Sequence, residues 1–219
     1  MELKDFKAKA VRERLNIGKE FGKIFTFIDF ANVNKWFERD TQDWSDRPLA
    51  VDQVLDIDID KLQSFTDLFS DRVRLYYGQD PVNEGSVKFT GALRIVFDSK
   101  NVVTKDLQKI KHYLAPKEEG IEYEKTDREG KKFVEIRKCN FDVEIAVDAF
   151  KMMKHYDTFC IFSGDADFVY LHNFLRKHGK KIIIIKGGHI TSKLRKTADL
   201  VINAQQIKKD IARIKKTKT

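Results

Sequence analysis

Between Thr158 and Ala204 the chain alternates short apolar runs with helix-like stretches, and this alternation constrains the fold more than any other feature. The runs TFCIFSGD, KKIIIIKGG and LVINA read as strands. Between them, ADFVYLHNFLRKHG, stopped by Gly179, and SKLRKTADL read as helices. Such alternation predicts parallel strands joined by crossover helices, with ligands bound beyond the C-terminal strand ends. The segment Ile24–Phe30 (IFTFIDF) is a near-continuous apolar run broken by Asp29, as expected of a central parallel strand buried on both faces. VRLYYG, from Val73 to Gly78, adds another strand. The fold class is therefore α/β, with a parallel sheet between two helical layers.

Elsewhere the pattern is coarser. Residues 2–20 predict a basic helix ending near Gly18 or Gly22, and residues 35–52 an irregular loop or short helix over the end of the first strand. Helical spacing recurs over 60–69, 86–97 and 141–154, the last with Val143, Ile145, Ala146, Ala149, Phe150 and Met153 near a 3.6-residue period. A strand or extended piece is expected around 101–113. Residues 121–138 alternate around Asp127-Arg128-Glu129-Gly130, a turn composition that predicts an inserted hairpin. QQIKKDIARIKK, after the last strand, predicts a basic helix. These readings divide the chain into a basic N-terminal helix (1–20), a main domain (21–207) and a basic C-terminal helix or tail (208–219).

The 219 residues, 42% of them hydrophobic, suffice for one sizeable core. No run of about eighteen apolar residues occurs and the first residues are charged, so a cytoplasmic protein with no membrane partner is expected. Cys139 and Cys160 stand apart in structured segments, which argues against a disulfide framework or a thiolate zinc site. The formal charge of +8 is concentrated at Lys4–Lys23 and Lys208–Lys218. Basic ends of this kind bind polyanions through counterion release, or are simply solvated helix faces.

Chemistry is suggested by aspartates that the topology would gather. Asp29 ends the first strand, Asp165 and Asp167 follow the strand Thr158–Phe162, and Asp142 opens the helix before it. Carboxylates sharing one cleft repel each other unless some protonate or a cation intervenes. Hard divalent ions such as Mg2+ or Mn2+ take oxygen ligands of this kind and can activate water and hold phosphate. The plainer alternative is helix capping, since Ser163 and the aspartates are good N-cap residues. Asn32 could orient Asp29 or belong to a turn. Lys186, Lys193 and Arg195, near Gly187-Gly188, are candidates to bind a substrate phosphate, although no GxGxxG fingerprint is present. Trp36, Trp44 and Tyr77 are candidates for base stacking. Asp56, Asp58 and Asp60 do not complete a calcium loop, and the histidines show no zinc-ligand spacing.

Three ordered motifs, Phe27-Ile28-Asp29-Phe30-Ala31-Asn32, Phe141-Asp142-Val143-Glu144-Ile145-Ala146-Val147-Asp148 and Ser163-Gly164-Asp165-Ala166-Asp167-Phe168, resemble the NYN domain family. Ser192-Lys193-Leu194 with Ala198-Asp199 looks like that family's closing segment, so the resemblance runs from about Phe21 to Ile207. The family is PIN-like, includes the LabA-like bacterial proteins and is associated with metal-dependent ribonuclease activity. The resemblance implies Asp29, Asp142, Asp165 and Asp167 as catalytic, metal-binding acids, with Asn32 and Ser163 in support. Where the family often has Lys-Gly, this chain has Cys139-Asn140, with Lys138 displaced by one position. Asp148 matches too, as a further supporting residue, but six residues beyond Asp142 it lies about 120° around the helix, which leaves a structural role at least equally open. The reaction expected is Mg2+- or Mn2+-dependent hydrolysis of RNA phosphodiesters, single-stranded RNA being the favoured partner. A regulatory RNA-binding module and a phosphatase acting on small phosphate esters are the rivals, and homo-oligomerisation is left open.

Overall fold

The computed structural model describes residues 3–114 and 124–217. In chain order, α1 (Leu3–Arg14) precedes β1 (Ile24–Asp29), α2 (Phe30–Val33), β2 (Gln53–Ile57), α3 (Ile59–Thr66), β3 (Arg72–Gln79) and α4 (Glu84–Val96). Four strands follow: β4 (Val102–Asp106), β5 (Gln108–Tyr113), β6 (Lys125–Thr126) and β7 (Lys132–Lys138). The last third contains α5 (Asp142–Met152), β8 (Thr158–Phe162), α6 (Val169–Lys177), β9 (Lys181–Lys186), α7 (Ser192–Arg195), β10 (Leu200–Asn203), α8 (Lys208–Ile211) and β11 (Ala212–Lys216).

Six strands form the central sheet in the order β10-β9-β8-β1-β3-β4, and every pairing in it is parallel. The apolar runs explain this. All five residues of β8 are buried, as are Ile182–Ile185 of β9 and Ile24–Ile28 of β1. Alternate side chains point to opposite faces. Ile24, Ile28, Phe162, Ile183 and Ile185 thus pack one core with Leu62, Phe65 and Leu93 of α3 and α4. Phe25, Phe27, Phe159, Ile161, Ile182 and Ile184 pack the other with Ile145, Ala149, Leu171 and Leu175 of α5 and α6. The result is the expected three-layer, PIN-like α/β architecture. From β1 the chain moves to β3 on one side, whereas β8 on the other side leads to β9. The C-terminal ends of β1 and β8 therefore flank a topological switch point, where such sheets leave a crevice.

The structure departs from the sequence-based expectations at the periphery. α1 ends at Arg14 rather than near Gly18, because Asn16 adopts a left-handed conformation (φ 57°) that stops the helix. The extended piece at 101–113 is two strands: β4 joins the central sheet, and β5 pairs with β7 in a separate antiparallel sheet of order β5-β7-β6. β6 and β7 form the expected hairpin around Gly130, while residues 121–123 lie outside the described residues.

The largest correction concerns the basic C-terminal helix. The segment is helical only as far as Ile211, as a 3-10 turn over Ala204–Ile207 followed by α8; Ala212–Lys216 is β11, antiparallel to β2 from Ala212↔Ile57 to Lys216↔Gln53. Helical propensity yields to the unpaired edge of β2, and both Arg213 and Lys215 reach Asp56 across the pair, at 3.3 and 3.2 Å. Among the described residues no helix is long and apolar enough to cross a membrane.

Candidate metal and nucleic-acid site

The site is assembled by register. Ile28 of β1 lies opposite Phe162 of β8, so the next residues, Asp29 and Ser163, leave the sheet side by side. The Ser163 hydroxyl donates to Asp29 Oδ2 (3.4 Å) and accepts from the Asp165 backbone N–H (3.3 Å). Asp165 Oδ1 in turn accepts from the Asp167 N–H (2.9 Å), capping the short turn Ala166–Phe168. The capping role thus exists, and it fixes the position of the Asp165 carboxylate. Asp142 begins α5 and is held by Asn140, whose Nδ2 donates to Asp142 Oδ2 and whose Oδ1 accepts from the Asp142 N–H, both at 2.7 Å. Carboxylate oxygens of Asp142, Asp165 and Asp167 lie within 4.8 Å of one another.

Electrostatics mark the same place. Burial pushes the Asp29 carboxyl up to about 6, and the nearby charges of Asp142 and Asp165 push the same way, opposed by hydrogen bonds from the Asn32 N–H and Ser163. Asp142 is also raised, first by burial and further by Asp165 and Asp167, against the Asn140 hydrogen bond. Burial is thus the larger cost, and crowding of carboxylates without a counter-charge adds to it.

A cleft of about 720 Å³ opens over three of these acids, while Asp167 is exposed and not among the lining residues. Asp29, Asn32, Asp142 and Asp165 line it, as do Lys35, Arg39 and Lys138. Lys186, Lys193 and Arg195 are not among the lining residues: Lys186 Nζ donates to the Gly188 carbonyl, and Lys193 and Arg195 are exposed on α7. Lys35 and Arg39 went unrecognised in the sequence. Their signal was the spacing Asn32, Lys35, Arg39, which places three residues on one side of the helical turns that follow Asp29. Of the stacking candidates, only Trp36 lines the cleft. Its ring stacks on Phe162 (5.8 Å between centroids), its Nε1 donates to Asn32 Oδ1 (3.1 Å), and a Cβ at residue 187 would come within 2.4 Å of it, which requires Gly187 there. Trp44 lies under Lys61, and Tyr77 packs edge-on against Phe30 and Phe89.

Asp148 faces away from this cleft. It accepts from the Tyr76 hydroxyl (2.8 Å) and pairs with Arg74 (3.3 Å), tying α5 to β3. Asp148→Asn should cost about 1–3 kcal/mol by leaving the mostly buried Arg74 without its counter-charge. Turnover at the native temperature should change less than about threefold. Thermal melts beside kinetics check this: a loss of turnover with unchanged stability would place Asp148 in the chemistry instead.

Comparison with known proteins agrees with the geometry. A segment of 74 residues is 32% identical to the low amplitude and bright protein LabA of Synechococcus elongatus, covering 33% of this chain and 40% of that protein. The chain thus matches less than half the length of that relative. A crystal structure of a protein of unknown function from Vibrio parahaemolyticus shares the fold, with a TM-score of 0.55 at 18% identity, covering 90% of this chain and 99% of that one. The sequence pattern of the NYN domain matches residues 23–205. That match spans all six strands of the central sheet and every residue of the acidic cluster, and the chain belongs to the NYN domain family, which includes nucleases and RNA-associated proteins.

Proposed function

We propose that this protein is a divalent-metal-dependent ribonuclease that hydrolyses single-stranded RNA in the cleft above Asp29, Asp142, Asp165 and Asp167. The observation that carries the reading is the packing of three carboxylates within 4.8 Å at the mouth of a cleft whose walls bear cations. Their donor set, carboxylate oxygens without thiolate or imidazole, fits Mg2+ or Mn2+. The raised proton affinity of Asp29 and Asp142 is consistent with this reading: burial is its main cause, the neighbouring carboxylates add to it, and a cation would offset both. When bound, such an ion would supply the charge that activates a water and offsets negative charge growing on the phosphate and the leaving oxygen.

The chain's own groups have separable tasks. Asp142, Asp165 and Asp167 form the donor set: Asn140 holds the Asp142 carboxylate, the Asp167 N–H holds the Asp165 carboxylate, and the Asp167 carboxylate is exposed beside them. Asp29 adds its charge from the neighbouring strand end, oriented by Ser163 and by the Asn32 N–H. Lys35 and Arg39, with Lys138 contributed by β7, meet phosphates. Cations carried by separate segments suit a chain with several phosphates better than a small phosphate ester.

The test is a substrate panel of single-stranded RNA, single-stranded DNA and nucleotide monophosphates, each with Mg2+, Mn2+ or EDTA. Cleavage of RNA that EDTA abolishes is expected. Release of phosphate from the monophosphates with RNA untouched would replace this reading with that of a phosphatase.

A further inference from the structure

The cleft wall that carries Lys35, Trp36 and Arg39 has little structure of its own. After the single turn of α2 it continues as isolated turns, with backbone bonds such as Trp36 N–H to Val33 (3.1 Å) and Asp40 N–H to Phe37 (3.0 Å). Short runs of this kind are marginal unless something outside them holds them. Val33 and Phe37 anchor the inner side in the core. The far end is anchored differently, by the C-terminal segment.

Lys208 is nominally one of the basic tail residues, yet it turns inward. Its Nζ lies 2.6 Å from Asp40 Oδ2, with the two side chains only 11% and 21% exposed. It also donates to the Gln42 carbonyl (3.4 Å) and sits over the Phe37 ring (5.8 Å). Gln205 Nε2 donates to the same Asp40 carboxylate, at 3.0 Å to Oδ2. Asp40 and Gln205 both line the cleft. Behind Lys208, Ile207 and Ile211 are fully buried and β11 is locked to β2. The sheet pair thus gives Lys208 a fixed base, and Lys208 gives the wall a fixed end.

We propose that Lys208, assisted by Gln205, is a positioning residue that holds Lys35 and Arg39 over the cleft through Asp40, so that the C-terminal segment shapes RNA binding without touching RNA. The proposal rests on the ribonuclease reading for its substrate, and on the geometry alone for its mechanics. An ion pair this far out of water is rigid, and removing one partner leaves the other charge uncompensated against the wall. The wall should then loosen, and its two cations should no longer meet phosphates together.

The experiment uses the full chain with Mn2+ and a single-stranded RNA oligonucleotide, comparing wild type with Lys208→Met, Asp40→Asn and Lys208→Arg. Lys208→Met and Asp40→Asn should raise KM about tenfold while kcat changes less than about threefold, the pattern of lost ground-state binding. The salt dependence of kcat/KM should become shallower by about 1.4 in log–log slope, the loss of about two phosphate contacts on a single strand. Adding Arg39→Ala to Lys208→Met should have less than about twofold further effect, because the two act on one contact set. Lys208→Arg should restore most of the affinity. Amide hydrogen exchange should accelerate across residues 34–40 in Lys208→Met and stay slow in β1 and β8, which also shows that the variant is folded. Unchanged exchange at 34–40, an unchanged KM, or additive effects with Arg39→Ala would overturn the proposal. A wild type that cleaves no RNA would overturn the ribonuclease reading and the substrate half of this inference, with the exchange data still deciding the mechanics.

Discussion

Replacing Asp29 with asparagine should make the metal-free protein more stable and remove nearly all metal-dependent turnover. Folded Asp29 keeps its proton up to about pH 6, against 3.8 ordinarily, chiefly because it is buried. Between those values the folded state binds more protons than the unfolded state, so stability falls as pH rises from about 3.8 to about 6 and stays reduced above. The cost at neutral pH is about 1–3 kcal/mol. Asparagine retains the shape and one acceptor oxygen, but it carries no charge to bury. Melts in EDTA at pH 4 and pH 7 should therefore show wild type losing stability over this interval by that amount more than Asp29→Asn. Added Mg2+ should stabilise wild type more than the variant, since a neutral amide compensates less of a divalent charge. RNA cleavage should fall by about two orders of magnitude or more, equivalent to about 3 kcal/mol or more of transition-state stabilisation. A variant no more stable than wild type at pH 7 would mean that Asp29 is better solvated than its position implies.

Truncation of Lys208–Thr219 should also have a large effect, on folding before RNA binding. It removes Ile211 and Ala212, both fully buried, together with the Lys208–Asp40 pair and the whole of β11. Deleting a buried isoleucine alone costs about 2–5 kcal/mol, and exposing the β2 edge adds to this. A total near 5 kcal/mol should lower Tm by about 10–20 °C in a chain of this size. A truncated protein that melts within about 3 °C of wild type, but binds RNA more weakly, would restore the tail as a solvated arm.

That tail shows where the sequence was and was not legible. β1, β8 and β9 could be read directly, because burial on both faces leaves almost no polar residue in Phe159–Phe162 or Ile182–Ile185. Their shared direction implies from the sequence alone that Asp29 and Asp165 share one rim, since a parallel sheet gathers its C-terminal ends. β11 could not be read this way. ARIKK has one buried residue, Ala212, and its strand state comes from β2, over 150 residues earlier, rather than from its own composition. The same distance hid the inward turn of Lys208, whose charge looks solvated until Asp40 is placed beside it. Asp148 was readable in part: its angle around α5 separated it from Asp142, but its partners Arg74 and Tyr76 come from another strand. Lys35 and Arg39 were obscured by a stretch without the periodicity of a full helix. Lys186, by contrast, was favoured by closeness in sequence to Gly187-Gly188, and its ammonium group is turned to the Gly188 carbonyl.

The central claim is that the packed acids of this cleft perform hydrolysis, and Asp165 tests it most directly because it lines the cleft, belongs to the three-carboxylate group and caps only a short turn. The measurement is cleavage of single-stranded RNA with Mn2+ by wild type and Asp165→Asn, purified in parallel, with matched folding verified by melting. Cleavage by wild type and a loss of about 100-fold or more in the variant is the predicted result. Equal cleavage by both proteins, or none by wild type while RNA remains bound, would contradict it.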